Sequence, residues 1–315
     1  MTRTDLPALT VGWLGTGHMG AALAARIGRA GLDLTVWNRT RSKAEPLVDA
    51  GAKVADEPVE LADRDVVFTM VTSSADLEQV VERLLSDPER APRILVDCST
   101  VSTEASARVR EVAAARGIAF LASPVSGNGK VVAAGKLSLV SSGPREAYDE
   151  VEPILELLGR HVTYVGDGEK ARLVKICHNI MLGVVAQNLA EIVVLAEKGG
   201  VPRAAMLDFL NNSVMGSMFT RYKSPAYVNL DFTPTFTPVL LRKDLDLGLR
   251  AGDELGVPMP VTAAAREPVQ AAIAQGRTSE DFAVLLELQA RNSGYEIVSE
   301  DVAVDDGLGT GDGSH

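Results

Sequence analysis

The sequence predicts an α/β N-terminal domain with a mostly parallel, doubly wound sheet, joined by a long helix to an all-α C-terminal domain. Three observations predict it. Short apolar runs alternate with helical stretches up to about residue 141. The first run leads directly into Gly15-Thr16-Gly17-His18-Met19-Gly20 and then an alanine-rich segment. From about residue 169 onward, apolar residues recur only at helical spacing.

The elements follow in order. The run from Val11 is read as a buried strand and Ala21 to Ala30 as the first helix. Leu32 to Trp37 is the second strand, and Ser42 to Ala50 a helix. Lys53 to Ala55 is a short strand, Pro58 to Ala62 a short helix and Asp65 to Val71 (DVVFTMV) a buried strand. A helix follows near Ala75 to Leu85, then a strand over Arg93 to Asp97. The next helix is Ser102 to Arg116, capped by Ser102 or Thr103. Ala119 to Ala122 and Leu137 to Ser141 are the last predicted strands. The long helix covers Leu173 to Lys198. Pro202 to Asn212, Leu240 to Leu255, Val261 to Gln275 and Asp281 to Arg291 complete the helical half. The predicted domains are residues 1–167 and 168–295, split at the turn Gly166-Asp167-Gly168, with a disordered acidic tail over 296–315.

The bulk numbers agree with two globular domains. The chain has 315 residues, 46% hydrophobic and 23% charged. Its net charge of −11 argues against nucleic acid or an anionic membrane as main partner, because both select a basic face. The two cysteines, Cys98 and Cys177, sit in apolar runs without metal-ligand spacing. They read as buried thiols of a reducing compartment, and no metal site is expected. The first ten residues lack an apolar signal core, and no segment is expected to span a membrane. These features predict a cytoplasmic protein.

The glycine pattern alone is weak in a chain with 28 glycines. Between a strand and a helix it becomes the dinucleotide fingerprint of a Rossmann domain. Gly15 allows the tight turn, Gly17 the approach of a pyrophosphate, and Gly20 close packing of helix on strand. The helix N-terminus offers its unpaired N–H groups to the phosphates. The second strand ends in Trp37-Asn38-Arg39-Thr40, with no carboxylate to bind a ribose 2′-hydroxyl. Asn38 and Thr40 can donate hydrogen bonds, and Arg39 can pair with a 2′-phosphate, with Arg41 adding charge. The reading is NADP, with NAD as the alternative; the bland reading of both arginines is solvated loop charge.

Chemistry is expected beyond the carboxyl ends of the strands. Candidate loops are Val71-Thr72-Ser73-Ser74, Cys98-Ser99-Thr100 and Pro124-Val125-Ser126-Gly127-Asn128-Gly129. The last is rich in small residues and suits a carboxylate nest, or is a plain turn. On the long helix, the apolar run Val174 to Leu182 holds Lys175, His178 and Asn179. Lys175 and Asn179 are four apart and share a face. A lysine in such a run is paired, snorkelling or functional, and desolvation suits it to proton transfer. His178 reads as a core or rim histidine. Lys243-Asp244 alone reads as an ordinary charged helix face.

Together these pieces resemble the β-hydroxyacid dehydrogenase family, over roughly residues 10 to 292. The family's G-x-G-x-M-G corresponds to Gly15–Gly20, its Asp-x-Ser-Thr to Asp97-Cys98-Ser99-Thr100, and its Pro-Val-Ser-Gly-Gly to Pro124–Asn128. Its Lys-x-x-x-Asn corresponds to Lys175–Asn179 and its Lys-Asp to Lys243-Asp244. The resemblance implies hydride transfer between nicotinamide and a small β-hydroxy acid, or β-hydroxy amino acid, and its carbonyl form. Lys175 is then the general acid–base residue. Ser126, Gly127, Asn128, Asn179 and Asp244 form the substrate set. Gly15, Thr16, Gly17, His18, Met19, Gly20, Asn38, Arg39, Thr40, Val71, Thr72, Thr100 and Lys243 form the cofactor set. The resemblance also implies a homodimer or homotetramer assembled through the helical domain and a small carboxylate-bearing substrate. Asn128 stands in place of the family's second loop glycine, His178 in place of a common Asn, and Ala122-Ser123 in place of an acidic-Ala pair. The segment Asn211 to Ser217 is expected to line the pocket. Two alternatives remain: an imine reductase of the same architecture, against which Lys175 speaks, and a non-catalytic NADP-binding scaffold.

Overall fold

The computed structural model describes residues 8–309. Strands and helical segments follow one another along the first unit, and the chain divides into two units. The first ends at Lys175 and the second begins at Ile176.

In the first unit, six strands form one sheet: β1 (Val11–Leu14), β2 (Leu34–Trp37), β3 (Lys53–Val54), β4 (Val66–Thr69), β5 (Ile94–Asp97) and β6 (Ala119–Ala122). Their order is β3-β2-β1-β4-β5-β6 and every pairing is parallel. β1, β2, β4 and β5 are buried at every residue, as expected of strands covered on both faces. Strand order reverses between β1 and β4, which puts the Gly15 turn and the Met70–Ser74 loop at the switch point where such sheets bind ligands. Helices α1 (His18–Arg29), α2 (Ser74–Leu84) and α3 (Thr103–Ala115) connect the strands. The Ser73 hydroxyl caps α2 through Asp76 N, and Ser102, not Thr103, caps α3 through Ala105 N. One core cluster gathers Leu14, Leu61, Val67, Leu77, Val81, Leu84 and Phe120. Trp13 stacks on Phe68 with ring centroids 5.3 Å apart.

A second sheet in this unit holds β7 (Val125–Ser126), β8 (Ser138–Ser141) and β9 (His161–Tyr164); β7 runs antiparallel to β8 and β9 parallel to it. Of these only β8 was predicted. The two helices between them, α4 (Gly129–Ala133) and α5 (Arg145–Leu158), were not predicted either. In α5 the buried Ala147, Tyr148, Val151, Ile154, Leu155 and Leu158 follow helical spacing, but Pro153 interrupts the pattern. The helix predicted from Ser42 to Ala50 is instead two 3-10 turns, Arg41–Lys43 and Glu45–Ala50. Pro46 opens the second turn and denies an α-helix its hydrogen bond there.

Helix α6 (Lys170–Lys198) begins in the first unit and continues into the second. The division thus falls eight residues beyond the expected boundary at 167. The physical reason is the first turn of α6, where Ala171 is buried in the core cluster of the sheet. The second unit contains α7 (Arg203–Asn212), α8 (Met218–Asn229), α9 (Pro238–Leu255), α10 (Pro260–Ala274) and α11 (Leu285–Asn292). Its core includes Ala186, Leu189, Val193, Leu207, Tyr227, Leu241, Leu245, Val269, Phe282 and Leu286. Helix α8, with Pro225 inside it, was not predicted.

Three expectations are corrected. Helix α6 is long and apolar enough by length and composition to cross a membrane, contrary to the expectation that no segment is. Its Ala186, Leu189, Ala190, Val193 and Val194 are buried in the helical core, which is why it is so apolar. Cys177 is exposed; only Cys98 is buried, and burial pushes its thiol well above the ordinary range. Residues 299–309 of the expected disordered tail lack regular structure but are tied down. Arg203 N and Ala204 N donate to the Glu300 carboxylate at 2.6 and 3.0 Å, at the start of α7. Glu300 N donates to Val228 O at 3.2 Å, and Asn229 Nδ2 to Val302 O at 2.8 Å. Acidic composition suggested disorder, yet Glu300 meets the unpaired N–H groups of a helix start. The remainder of that expected tail, residues 310–315, lies outside the described residues.

Candidate active site

The turn after β1 is built by steric necessity. Gly15 has φ +98°, and a Cβ there would lie 2.3 Å from the Met70 carbonyl oxygen. A Cβ on Gly20 would lie 2.0 Å from Gly15 O. Trp13 Nε1 donates to that same oxygen at 2.9 Å and holds the turn in place. Gly17 is the N-cap of α1, and a Cβ on it would meet nothing within 4 Å. The first turn of α1, with exposed His18 and half-buried Met19, carries no acidic residue. The Thr16 hydroxyl is buried and makes no hydrogen bond among the described residues. An unmet buried hydroxyl beside an open, acid-free helix start fits the phosphates of a dinucleotide.

Asn38 braces the turn from the end of β2. Its Oδ1 accepts from Thr16 N at 2.9 Å and its Nδ2 donates to Thr40 O at 2.9 Å, so both ends of its amide brace the turn. Arg39 is exposed and pairs with Asp76 at 3.3 Å. Arg41 pairs with Asp56 and lies 3.7 Å from Glu45.

The loops after β4 and β5 are joined by one buried network. Asp97 Oδ1 accepts from Thr69 Oγ1 (2.6 Å), Ser99 Oγ (2.7 Å) and Ser99 N (3.2 Å). Ser99 Oγ in turn accepts from Val71 N at 2.9 Å. Asp97 Oδ2 is paired with Arg172, which also donates to Ser99 O at 2.5 Å and to Ser106 Oγ at 3.0 Å. Asp97 and Arg172 are 0% and 1% exposed, so the pair stands only because every polar atom of it is answered. Val71 is half-buried, Thr72 exposed and Thr100 half-buried at the rim of this network. Sequence reasoning missed Arg172; the signal was an arginine opening an apolar helix.

In the small-residue loop, Ser126 ends β7, and Gly127 takes φ +142° where a Cβ would lie 2.8 Å from Val131 Cγ1. Asn128 is buried and caps α4, its Oδ1 accepting from Val131 N at 3.1 Å. The replaced glycine thus serves as a helix cap, which explains how the loop tolerates it. His18 Cδ2 lies 3.3 Å from where a Gly129 Cβ would be, so the substrate-loop candidate borders the start of α1.

Lys175 is 8% exposed, on α6. Asn179 is one turn further on and lies in the second unit. There Asn179 Nδ2 donates to Asp244 Oδ2 at 2.6 Å, and His178 Nδ1 is 2.9 Å from Asn179 Oδ1. Lys243 Nζ lies 3.3 Å from Asp244 Oδ1. Asp244 is buried, with Oδ2 accepting from Asn179 and Oδ1 within ion-pair distance of Lys243 but accepting no hydrogen bond among the described residues. The structure thus joins Asn179 to the Lys243-Asp244 pair, which sequence alone left as an ordinary charged helix face. In the loop 211–217, Asn211 is buried and donates to Ser224 Oγ at 2.9 Å, while Val214 and Met215 are exposed. Among the described residues no group of three or more His, Cys, Asp or Glu is placed to hold a metal ion.

Comparison with known proteins bears on this arrangement. Residues 10–166 match the family model of the NAD binding domain of 6-phosphogluconate dehydrogenase. Residues 169–289 match that of the NAD-binding region of NADP-dependent 3-hydroxyisobutyrate dehydrogenase. Glyoxylate/succinic semialdehyde reductase 1 of Arabidopsis thaliana is 31% identical over 291 residues, covering 89% of this chain and 98% of that one. The chain belongs to the β-hydroxyacid dehydrogenase family. As a member it is an NAD(P)-dependent oxidoreductase. Among solved structures, 3-hydroxyisobutyrate dehydrogenase of Mycobacterium tuberculosis with L-serine has a TM-score of 0.79 at 26% identity, covering 90% of this chain and 99% of that one. The structure of Psf3 in complex with NADP+ and 2-OPP has a TM-score of 0.77 at 25% identity, covering 89% and 99%. The family's two-domain architecture, a parallel sheet domain followed by helices, is the one described above.

Proposed function

We propose that this β-hydroxyacid dehydrogenase prefers NADP(H) and interconverts a small β-hydroxy acid, or β-hydroxy amino acid, with its semialdehyde or keto form. The observation that carries the reading is Lys175: a buried lysine, one helical turn before an asparagine that is itself held by a buried aspartate. The nicotinamide supplies or takes the hydride. In reduction Lys175 gives a proton to the substrate oxygen as the hydride reaches the adjacent carbon; in oxidation it takes that proton back. Ser126 and the Gly127 backbone hold the substrate carboxylate, and Asn179, oriented by Asp244, positions the substrate around Lys175. Thr16 and the N–H groups opening α1 hold the pyrophosphate, and Thr100 and Lys243 meet the nicotinamide end. Arg39 and Thr40 receive the 2′-phosphate, with Asn38 bracing the loop beneath them. The exposed Leu195, Phe209, Val214 and Met215 support assembly of two or four copies through the helical unit.

The test is a cofactor-resolved activity screen. NADPH or NADH is mixed with glyoxylate, succinic semialdehyde or methylmalonate semialdehyde; the reverse direction uses 3-hydroxyisobutyrate, serine or threonine with NADP+ or NAD+. Turnover with NADPH well above NADH is the expected result. Turnover with NADH alone rejects the cofactor preference, and NADPH binding without turnover of any carbonyl compound rejects the reaction.

A further inference from the structure

We infer that Arg172 is a positioning residue for the proposed reaction, setting the place of Lys175 relative to the loop that meets the nicotinamide. The inference rests on the reading of Lys175 as the proton-transfer group. Arg172 lies in the first turn of α6, three residues before Lys175. Residues three apart on a helix project from neighbouring positions of one face, so whatever fixes Arg172 also fixes the rotation and height of Lys175.

Several contacts pin that helix start. Arg110 Nε pairs with Glu169 Oε1 at 2.7 Å, and Arg110 also donates to Gly168 O at 2.8 Å. Ser142 Oγ donates to Gly168 O at 2.7 Å and accepts from Ala171 N at 3.0 Å. These hold the helix start to α3 and to the end of β8. Arg172 reaches the Cys98–Thr100 loop through Ser99 O and the end of β5 through Asp97 Oδ2. The other oxygen of Asp97 binds Ser99, whose hydroxyl receives Val71 N. One guanidinium therefore ties the helix of Lys175 to both loops that carry the candidate nicotinamide contacts, Val71 and Thr100. Its planar fork meets three acceptors at once, a geometry that an ammonium cannot reproduce. A plain core staple has no need to end on the backbone of a cofactor loop.

Two substitutions test this. Arg172→Lys keeps the charge and loses the fork. Ser106→Ala removes one acceptor and leaves Asp97 and Ser99 engaged. For Arg172→Lys the expected result is a kcat lower by about 10- to 100-fold, from a small misplacement of reacting groups, with NADPH affinity kept within about threefold. The kinetic isotope effect on kcat with 4-deuterated NADPH rises, because hydride transfer becomes slower relative to other steps. Ser106→Ala lowers kcat by about two- to fivefold and raises the isotope effect, the same directions as Arg172→Lys, with a fall of a few degrees in melting temperature because Arg172 Nε loses its acceptor. A lowered melting temperature with wild-type kcat and isotope effect overturns the inference and leaves the pair a structural staple. If Arg172→Lys fails to fold, Ser106→Ala decides alone. Failure of the functional reading looks different: the wild type then turns over nothing in the screen. Hydrogen exchange with NADPH bound decides in that case. Loss of protection over residues 98–101 in the variants sustains the link, and unchanged protection overturns it.

Discussion

Two fully buried ion pairs, one in each unit, have the same ingredients and different surroundings. Arg172–Asp97 sits where β5 ends and α6 begins, and its hydrogen bonds run to the backbone and hydroxyl of Ser99. Lys223–Asp281, at 2.6 Å, sits within the helical unit. There Lys223 also donates to Thr235 Oγ1 at 3.0 Å and lies 4.2 Å from the Phe282 ring centre. Asp281 accepts from Thr235 N, Phe236 N and Ala283 N at 3.0 to 3.2 Å. The second pair closes a loop onto a 3-10 turn; the first joins the two loops proposed to meet the cofactor to the helix of the lysine proposed to transfer the proton. Burial and hydrogen bonding are equal in kind, so what separates a structural pair from a functional one is where its outermost contacts lead. A point-charge lysine suffices to staple a loop, whereas registering a helix against two loops uses the arginine fork.

The largest expected effect sets the scale for that comparison. Lys175→Met lowers kcat by about 100- to 10,000-fold while NADPH still binds, as measured by steady-state rates and cofactor fluorescence. Retained activity sinks the proton-transfer role and with it any difference in kind between the two pairs. Next, Lys223→Met leaves Asp281 buried without its cation and costs about 3–5 kcal/mol in urea unfolding. The folded fraction keeps its kcat; a proportionate fall in kcat would erase the contrast with Arg172→Lys.

A smaller, pH-dependent effect sharpens it. Burial alone raises the Asp281 pKa, but the Lys223 ammonium and the hydrogen bonds from Ala283 N and Thr235 outweigh it and hold the carboxyl below its ordinary 3.8. A depressed pKa contributes stability that is complete above the unfolded value and is lost as pH falls through the folded one. The stability advantage of wild type over Asp281→Asn is therefore constant above about pH 5 and shrinks as the pH drops below about 4. An advantage that persists at low pH contradicts the assignment. The smallest effect concerns an exposed pair: Asp76→Asn frees Arg39 and tightens NADPH relative to NADH by only a few-fold, within the ~1 kcal/mol of a surface ion pair. Titration of both cofactors measures it.

The legible parts of the molecule were those with strong local signals. The four fully buried strands are mostly apolar runs, and the glycine turn stands out because it lies between a strand and a helix. Lys175 stood out because a cation in an apolar helical run has to be accounted for. The local contacts of Asn38 and Asn128 were not legible: Asn38 braces Thr16 and Thr40, and Asn128 Oδ1 caps α4 through Val131 N. The short β7 and β9 carry two to four residues each and pair across long sequence separations, so no local period marks them. The tail was misjudged because Glu300 meets its partners, Arg203 and Ala204, nearly a hundred positions away in sequence.

By itself the sequence determined the alternation of strand and helix, the dinucleotide turn, the helical second half and the family, because each depends on local periodicity or on short motifs read along the chain. Only the tertiary structure decided which charges are partners. It paired Arg172 with Asp97, Lys223 with Asp281 and Asn179 with Asp244, each across 58 to 75 residues. Such pairs exist because a buried charge must be answered wherever folding happens to bring a partner, and that place is a property of packing rather than of spacing.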